Sequence, residues 1–345
     1  TLTAGEETTA TVVVRNVGED PITGVDVRLT SAGGGITVLG TALRTIDLAA
    51  GASSSQEWTL RADAGGRAQI TATVVHDGRE RTRTGRIFVN GPGWYWGDNH
   101  SHSIHSDGSG TIAENVASAR ANGLSWLTAT DHNTLSQASD MAAENRDDFV
   151  ALVGQEITCG DGHSLGYDIG TTNADLIACG THQSRIDDTN AANGGRGFFY
   201  IAHPYYPGLE WDDWGVDGLT GIEVWNGFYP PLHTVNNGAF ARWDERLRAG
   251  ETILGIANSD AHNSGKIGSP HIRACLPQLA ADPIVEVQQS GYFYGSNGPD
   301  IAMTVDGVPM GGTVHVPTTG GTVEVVVTAR VDHDVADVLL HVNGD

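Results

Sequence analysis

From Thr1 to about Asn90 the chain alternates apolar and polar positions in short runs. TATVVVRNVG, GVDVRLTSA, EWTLRAD, RAQITATVVHDG and RTGRIFVN are each closed by Gly, Asp or Ser. A period of two, rich in Val, Ile and Thr, describes strands with one buried face. The spacing predicts a small β-sandwich over residues 1–90. After the turn-rich NGPG at 90–93 the rhythm changes. The apolar runs SWLTAT, DFVALVGQEI, GFFYIAH, GIEVWNG and TILGIANS now alternate with helical stretches such as TIAENVASARANG and PIVEVQQSG. That alternation predicts an α/β domain over residues 91–291 with mainly parallel strands. In residues 292–345, IAMTVDG, GGTVHVP, TVEVVVTARV and ADVLLHVNGD return to β alternation. They predict a second small sandwich, cut short at Asp345.

Composition narrows the functions open to such a chain. The 345 residues carry a formal charge of −23, and Lys266 is the only lysine. A field of that sign repels extended nucleic acid and anionic membrane, because neutralising phosphates needs clustered Lys and Arg. No apolar run reaches the roughly 18 residues a spanning helix needs. Cys159, Cys179 and Cys275 lack the Cys-x-x-Cys spacing of a zinc ribbon. Cys159 and Cys179 flank one Gly- and Asp-rich stretch and could pair in an exported protein or stay free; Cys275, in an apolar run, is expected in the core. Terminal sandwich modules, high acidity and scarce lysine together predict a secreted bacterial protein.

Candidate chemistry gathers where apolar runs end. GDNHSHSIHSDG places His100 and His102 two residues apart after GWYWGD, so that both side chains project the same way, with Asp107 following. ATDHN supplies His132, VGQEI supplies Glu156, GHSLGY supplies His163, YIAHP supplies His203, and IANSDAH supplies Asp260 and His262. Each has a bland reading. His203 alone could be a hydrogen-bonded structural residue, Asp260 a helix N-cap, and Glu156 an arginine's partner. Jointly the bland readings require five strands to end in ligand-type residues by chance, at the edge where α/β folds build their sites.

The ordered set HxHxxxxD, TDH, an isolated Glu, a later His, AHP and SDAH resembles the PHP (polymerase and histidinol phosphatase) family of metal-dependent phosphoesterases. With flanking β modules of immunoglobulin-like character, it is similar to the CehA/McbA-like metallohydrolase branch. The likeness spans residues 94 to about 290. It implies a distorted (β/α)7 barrel with two or three divalent ions at its strand ends. In that reading His100, His102, Glu156 and Asp260 hold one ion, Glu156 bridges to a second held by His163 and His203, and Asp107, His132 and His262 hold a third. Asn99 departs from the family, which commonly has an apolar residue there; the departure is not expected to touch the ligands.

Mixed imidazole and carboxylate donors suit Zn, Mn or Fe. Such ions can turn bound water into a hydroxide nucleophile, so hydrolysis needs no serine or cysteine nucleophile. No Gly-x-Ser-x-Gly elbow, P-loop or dinucleotide fingerprint occurs. Candidate catalytic residues are Glu156, Asp260 and His105, the last as proton donor. Candidate substrate contacts are Asn133, Asn226, Asn263, Lys266 and Arg273, the arginine as a phosphate clamp, and an aromatic platform including Tyr205 and Trp211. The expected reaction is hydrolysis of a phosphodiester or phosphomonoester of a small or cell-surface molecule. The alternatives are hydrolysis of carboxylic or carbamic esters on the same site, and a non-catalytic adhesion protein. The sandwich modules are expected to act as spacers or carbohydrate contacts.

Overall fold

The computed structural model describes residues 2–33, 35–227, 233–316, 320–330 and 339, and divides into two compact units. The first comprises residues 1–95 and 275–279. It holds two sheets. One runs Leu2–Thr3, Arg79–Asn90, Gly66–His76, Ile22–Gly33, Leu43–Leu48; the other runs Glu7–Arg15, Ser53–Ala62, Ile36–Val38. Side chains from both, among them Val27, Leu29, Ile70, Trp58 and Leu60, share one buried core. The alternation read in the sequence is the alternation of these inward and outward positions.

A nine-stranded sheet, most of whose residues fall in the second unit, runs in the order Leu254–Asn258, Gly221–Asn226, Phe198–Ile201, Gly162–Tyr167, Val150–Cys159, Trp126–Ala129, Gly93–Asp98, His271–Leu276, Phe293–Ser296. Its edges come together: a Cβ at Gly295 would lie 2.6 Å from that of Ala257, and Ser101 forms a parallel bridge with Ala261. The sheet is therefore a nearly closed barrel. Trp126–Ala129 is parallel to both neighbours, and Gly221–Asn226 is parallel to both of its own. Gly162–Tyr167 runs antiparallel on either side, and Phe293–Ser296 runs antiparallel to His271–Leu276. This mixed sheet, with five α-helices among the described residues, differs from seven parallel β/α repeats.

Local signals explain the elements. Thr111 and Glu114 form a reciprocal capping box that starts the helix Ile112–Ala121. Gly291, at φ 83°, ends Ala281–Ser290 in the left-handed conformation glycine favours. Trp126–Ala129 is buried along its whole length, as a strand covered on both faces should be. Gly97 has no room for a side chain, because a Cβ there would enter the Trp126 ring.

Two expectations are corrected. Just past the expected boundary at residue 291, Phe293–Ser296 is an edge strand of the barrel sheet. Beyond it the described residues form one three-stranded sheet, Val308–Pro309, Asp300–Val305, Val325–Arg330, with residues 311–316 of GGTVHVP outside any strand; ADVLLHVNGD lies almost wholly outside the described residues. Cys275 is half-buried and free, because the apolar run places it at an intermediate position of its strand. Cys159 and Cys179 are joined, with Cα atoms 5.8 Å apart. No helix among the described residues is long and apolar enough to cross a membrane.

Candidate metal centre

The strand ends converge on one cluster. His100 and His102 follow Gly93–Asp98, and His132 follows Trp126–Ala129; Glu156 and His163 face each other across adjacent strands; His203 follows Phe198–Ile201, and Asp260 and His262 follow Leu254–Asn258. Each of the imidazoles of His100, His102, His132, His163, His203 and His262 brings a ring nitrogen to between 2.9 and 3.3 Å of Asp107, Glu156 or Asp260. Two residues of the cluster sit on strained backbone: Asp260 has φ 49° and His203 φ 24°, a region that non-glycine residues occupy at a cost and that collects at functional sites.

Three sets of donor atoms lie close enough to share an ion, all within 4.8 Å of one another. These are His100, His102, Glu156, Asp260; then His102, Asp107, His132, His262; then His132, Glu156, His163. The first set coincides with the resemblance-derived ligands. In the second, His102 joins the anticipated trio. In the third, His132 stands beside Glu156 and His163, while His203 Nε2 reaches Glu156 Oε1 at 3.0 Å. His102 Nδ1, His163 Nε2 and His203 Nδ1 are buried without a hydrogen-bond partner. Buried polar atoms left this way are expensive unless a cation satisfies them. The donor set therefore fits divalent ions.

Electrostatics agree with the geometry. Burial lowers the His102 imidazole, yet its hydrogen bonds to the Asp260 and Glu156 carboxylates outweigh it and lift it to about 9. Burial would likewise raise Glu156, but the charge of His100 and its hydrogen bond hold the carboxyl well below its ordinary range. These carboxylates stay ionised because positive charge faces them. Asp98, pushed up to about 6 by burial, accepts from the backbone of Ser259 at 3.0 Å and Gly268 at 2.8 Å, which ties the first strand's end to the loop bearing Asp260. Asp131 accepts from Ser103 N at 2.7 Å and Ser106 Oγ at 2.8 Å and so shapes the turn leading to Asp107.

The other anticipated site residues are less uniformly placed. His105 has both ring nitrogens occupied, by Ser136 Oγ at 2.8 Å and Asp140 Oδ2 at 3.2 Å. Asn133 bonds both backbone groups of Thr158, and its neighbour His132 contacts Thr158 Oγ1. Asn226 is buried and donates to Glu223 and Asp260, so it braces a ligand and offers nothing to solvent. Asn263 and Lys266 are exposed at the turn after the last ligands. Arg273 is fully buried, pairs with Asp300, donates to the Gly298 carbonyl and lies 3.8 Å over the Trp96 ring; none of these partners is a cluster residue, so it does not clamp a ligand there. Trp211, 2% exposed, packs in the core against Phe199 and His182 and has no free face for a ligand. Tyr205 is half-buried and stacks on Trp214, with centroids 6.2 Å apart.

Glu223 was not anticipated. It is buried in GIEVWN, and its Oε1 faces His100 Nδ1 at 3.0 Å. The available signal was a lone acid inside an apolar run, a residue type seldom buried without a partner.

No protein-family model matches the chain, and no curated protein sequence matches it. Among solved structures it is similar to a two-domain protein from Bacteroides vulgatus containing a predicted PHP-like metal-dependent phosphoesterase. That pair shows TM-score 0.48 and 17% identity over 59% of this chain and 65% of that one. It is also similar to PsfC from Pseudomonas syringae, with TM-score 0.43 and 18% identity over 55% and 85% of the two chains. A predicted metal-dependent phosphoesterase from Bifidobacterium adolescentis gives TM-score 0.39 and 18% identity over 55% and 94%. The chain thus spans just under two thirds of the first.

Proposed function

We propose that the chain is a metal-dependent phosphoesterase of the PHP family, in its CehA/McbA-like branch, acting on a phosphodiester or phosphomonoester of a small or cell-surface molecule. The observation that carries this reading is Glu156. Its carboxylate has no exposure, and ring nitrogens of His100, His102, His132, His163 and His203 all lie within 3.2 Å of its two oxygens. An ordinary ion pair needs one partner. A carboxylate bridging cations explains five.

Two or three divalent ions, Zn, Mn or Fe, would be held by the three donor sets; when bound they acidify a water and polarise the oxygens of the scissile group. The protein's own part is placement. His100, His102, Glu156 and Asp260 form a dry floor, while Asp107, His132 and His262 form the side open to solvent, through which a substrate reaches the centre. Export is part of the proposal, supported by the Cys159–Cys179 bond and the single lysine. The first module is assigned the role of an immunoglobulin-like spacer or carbohydrate contact.

One observation favours a second substrate class. Arg273, the anticipated phosphate clamp, is committed to Asp300, and a neutral carboxylic or carbamic ester would lose nothing by that. The test is a kinetic comparison of chromogenic phosphate monoesters, phosphate diesters and carboxylic esters, with and without millimolar inorganic phosphate. Phosphoester turnover with competitive inhibition by phosphate is expected. Turnover confined to neutral esters and insensitive to phosphate would transfer the assignment to the second class.

A further inference from the structure

Behind the ligands lies a second layer of buried polar groups centred on Glu223, which belongs to none of the three donor sets. Its Oε1 accepts from His100 Nδ1 at 3.0 Å and Asn258 Nδ2 at 3.1 Å; its Oε2 accepts from the His203 backbone N–H at 3.0 Å and Asn226 Nδ2 at 2.9 Å. Asn226 Nδ2 also reaches Asp260 Oδ2 at 3.0 Å. One carboxylate thereby touches or lies one residue from three candidate ligands that follow three different strands.

The layer continues inward. Asn258 Oδ1 accepts from the Asn99 backbone at 3.2 Å and from Asn99 Nδ2 at 3.3 Å. Asn99 Oδ1 accepts from Trp126 Nε1 at 2.8 Å, and the Asn99 carbonyl accepts from Tyr167 Oη at 2.8 Å. Asn99, Glu223, Asn226 and Asn258 are all 0% exposed. A carboxylate only accepts, so the proton between Glu223 and His100 sits on Nδ1 of the imidazole. That leaves Nε2, 3.2 Å from Glu156 and 3.3 Å from Asp260, as the ring's metal-facing atom.

We propose that Glu223 is a positioning residue of the metal centre. It sets the tautomer of His100, raises that ring's basicity as a ligand, and fixes the backbone of His203 and the carboxylate of Asp260 through Asn226. Asn99 and Asn258 form the brace that orients Glu223. The inference rests on the metal reading above.

Zinc binding to the full chain tests it without any substrate. Zn2+ is titrated in competition with a chromophoric chelator into wild type, Glu223→Gln and Asn99→Leu, and each protein's thermal melt is recorded alongside. Glu223→Gln keeps the shape and removes the charge. It should weaken the tightest zinc about 10–100-fold with little change in melting temperature, the range found for groups supporting metal ligands. Asn99→Leu leaves the carboxylate and removes only its brace, so a loss of a few-fold is expected. It also decides the matter if Glu223→Gln fails to melt cooperatively. Wild-type zinc affinity in a folded Glu223→Gln, or in Asn99→Leu should that be the only folded variant, overturns the positioning role and leaves the metal reading standing. A wild type that binds no zinc overturns both.

Discussion

The two sides of the cluster use the same residue types in opposite environments. On the inner side the His100 and Glu156 side chains have no exposure and Asp260 has 6%. On the outer side Asp107 is 56% exposed, His262 31% and His132 23%. Coulombic attraction is several times stronger where water is excluded. An ion on the inner side should therefore bind tightly and exchange slowly, and one on the outer side should bind more weakly and meet incoming ligands. With ions bound, the same histidine-and-carboxylate chemistry would serve retention on one side and access on the other. His102, which belongs to donor sets on both sides, couples them.

The largest expected effect breaks the inner side. His100→Ala or Asp260→Ala should lower hydrolysis at least about 1000-fold, about 4 kcal/mol in barrier terms, and reduce bound metal measured by elemental analysis. Activity within tenfold of wild type in both variants would sink the ligand assignment.

A buried histidine outside the cluster sharpens the comparison. Burial lowers His271 to about 4, its Nδ1 donates to the Gly268 carbonyl at 2.9 Å, and no carboxylate offsets the cost. A folded value below the unfolded 6.5 means that stability is fully present above pH 6.5 and is lost as pH falls toward 4. The loss amounts to about 3 kcal/mol. Subtracting the unfolding free energies of His271→Phe from those of wild type at each pH should isolate that slope between 6.5 and 4. Parallel curves would show that His271 is not held neutral.

The smallest effect probes the outer side. Asp107→Ala should cost about 10-fold in turnover, about 1.4 kcal/mol, and lower metal content by one ion while the inner ion remains. Equal metal loss in Asp107→Ala and Asp260→Ala would erase the distinction between the two sides.

Much of this candidate site was legible in the chain because the clustered residues fall at strand ends, where an apolar run stops abruptly at His, Asp or Glu. His100, His102, His132 and Asp260 are visible for that reason, and their neighbours form the tight turns that strand ends require. Glu223 was hidden by the opposite circumstance. It sits inside an apolar strand, and its partners are 123 residues away at His100 and 35 away at Asn258, separations that no periodicity reports. Asn99 was read as an isolated departure. Its contact with Trp126 comes from the neighbouring strand, but its contact with Asn258 depends on the closing of the sheet, which brings the far edge strand to it. Arg273 misled for a related reason: proximity in sequence to SDAH placed it near the ligands, whereas the strand His271–Leu276 directs it onto Trp96 and Asp300. The antiparallel strand Gly162–Tyr167 was masked by its two glycines and short length, which gave it no alternation to detect.

Metal removal and return, followed on one chromogenic phosphodiester, tests the central claim most directly. The protein is stripped with a chelator, its residual metal is measured, and Zn2+ or Mn2+ is added back in graded equivalents while turnover is recorded. The account predicts loss of turnover on stripping and recovery that tracks occupancy, with the steepest gain after the inner side has filled. Full turnover from protein holding less than about a tenth of an equivalent of metal would contradict it.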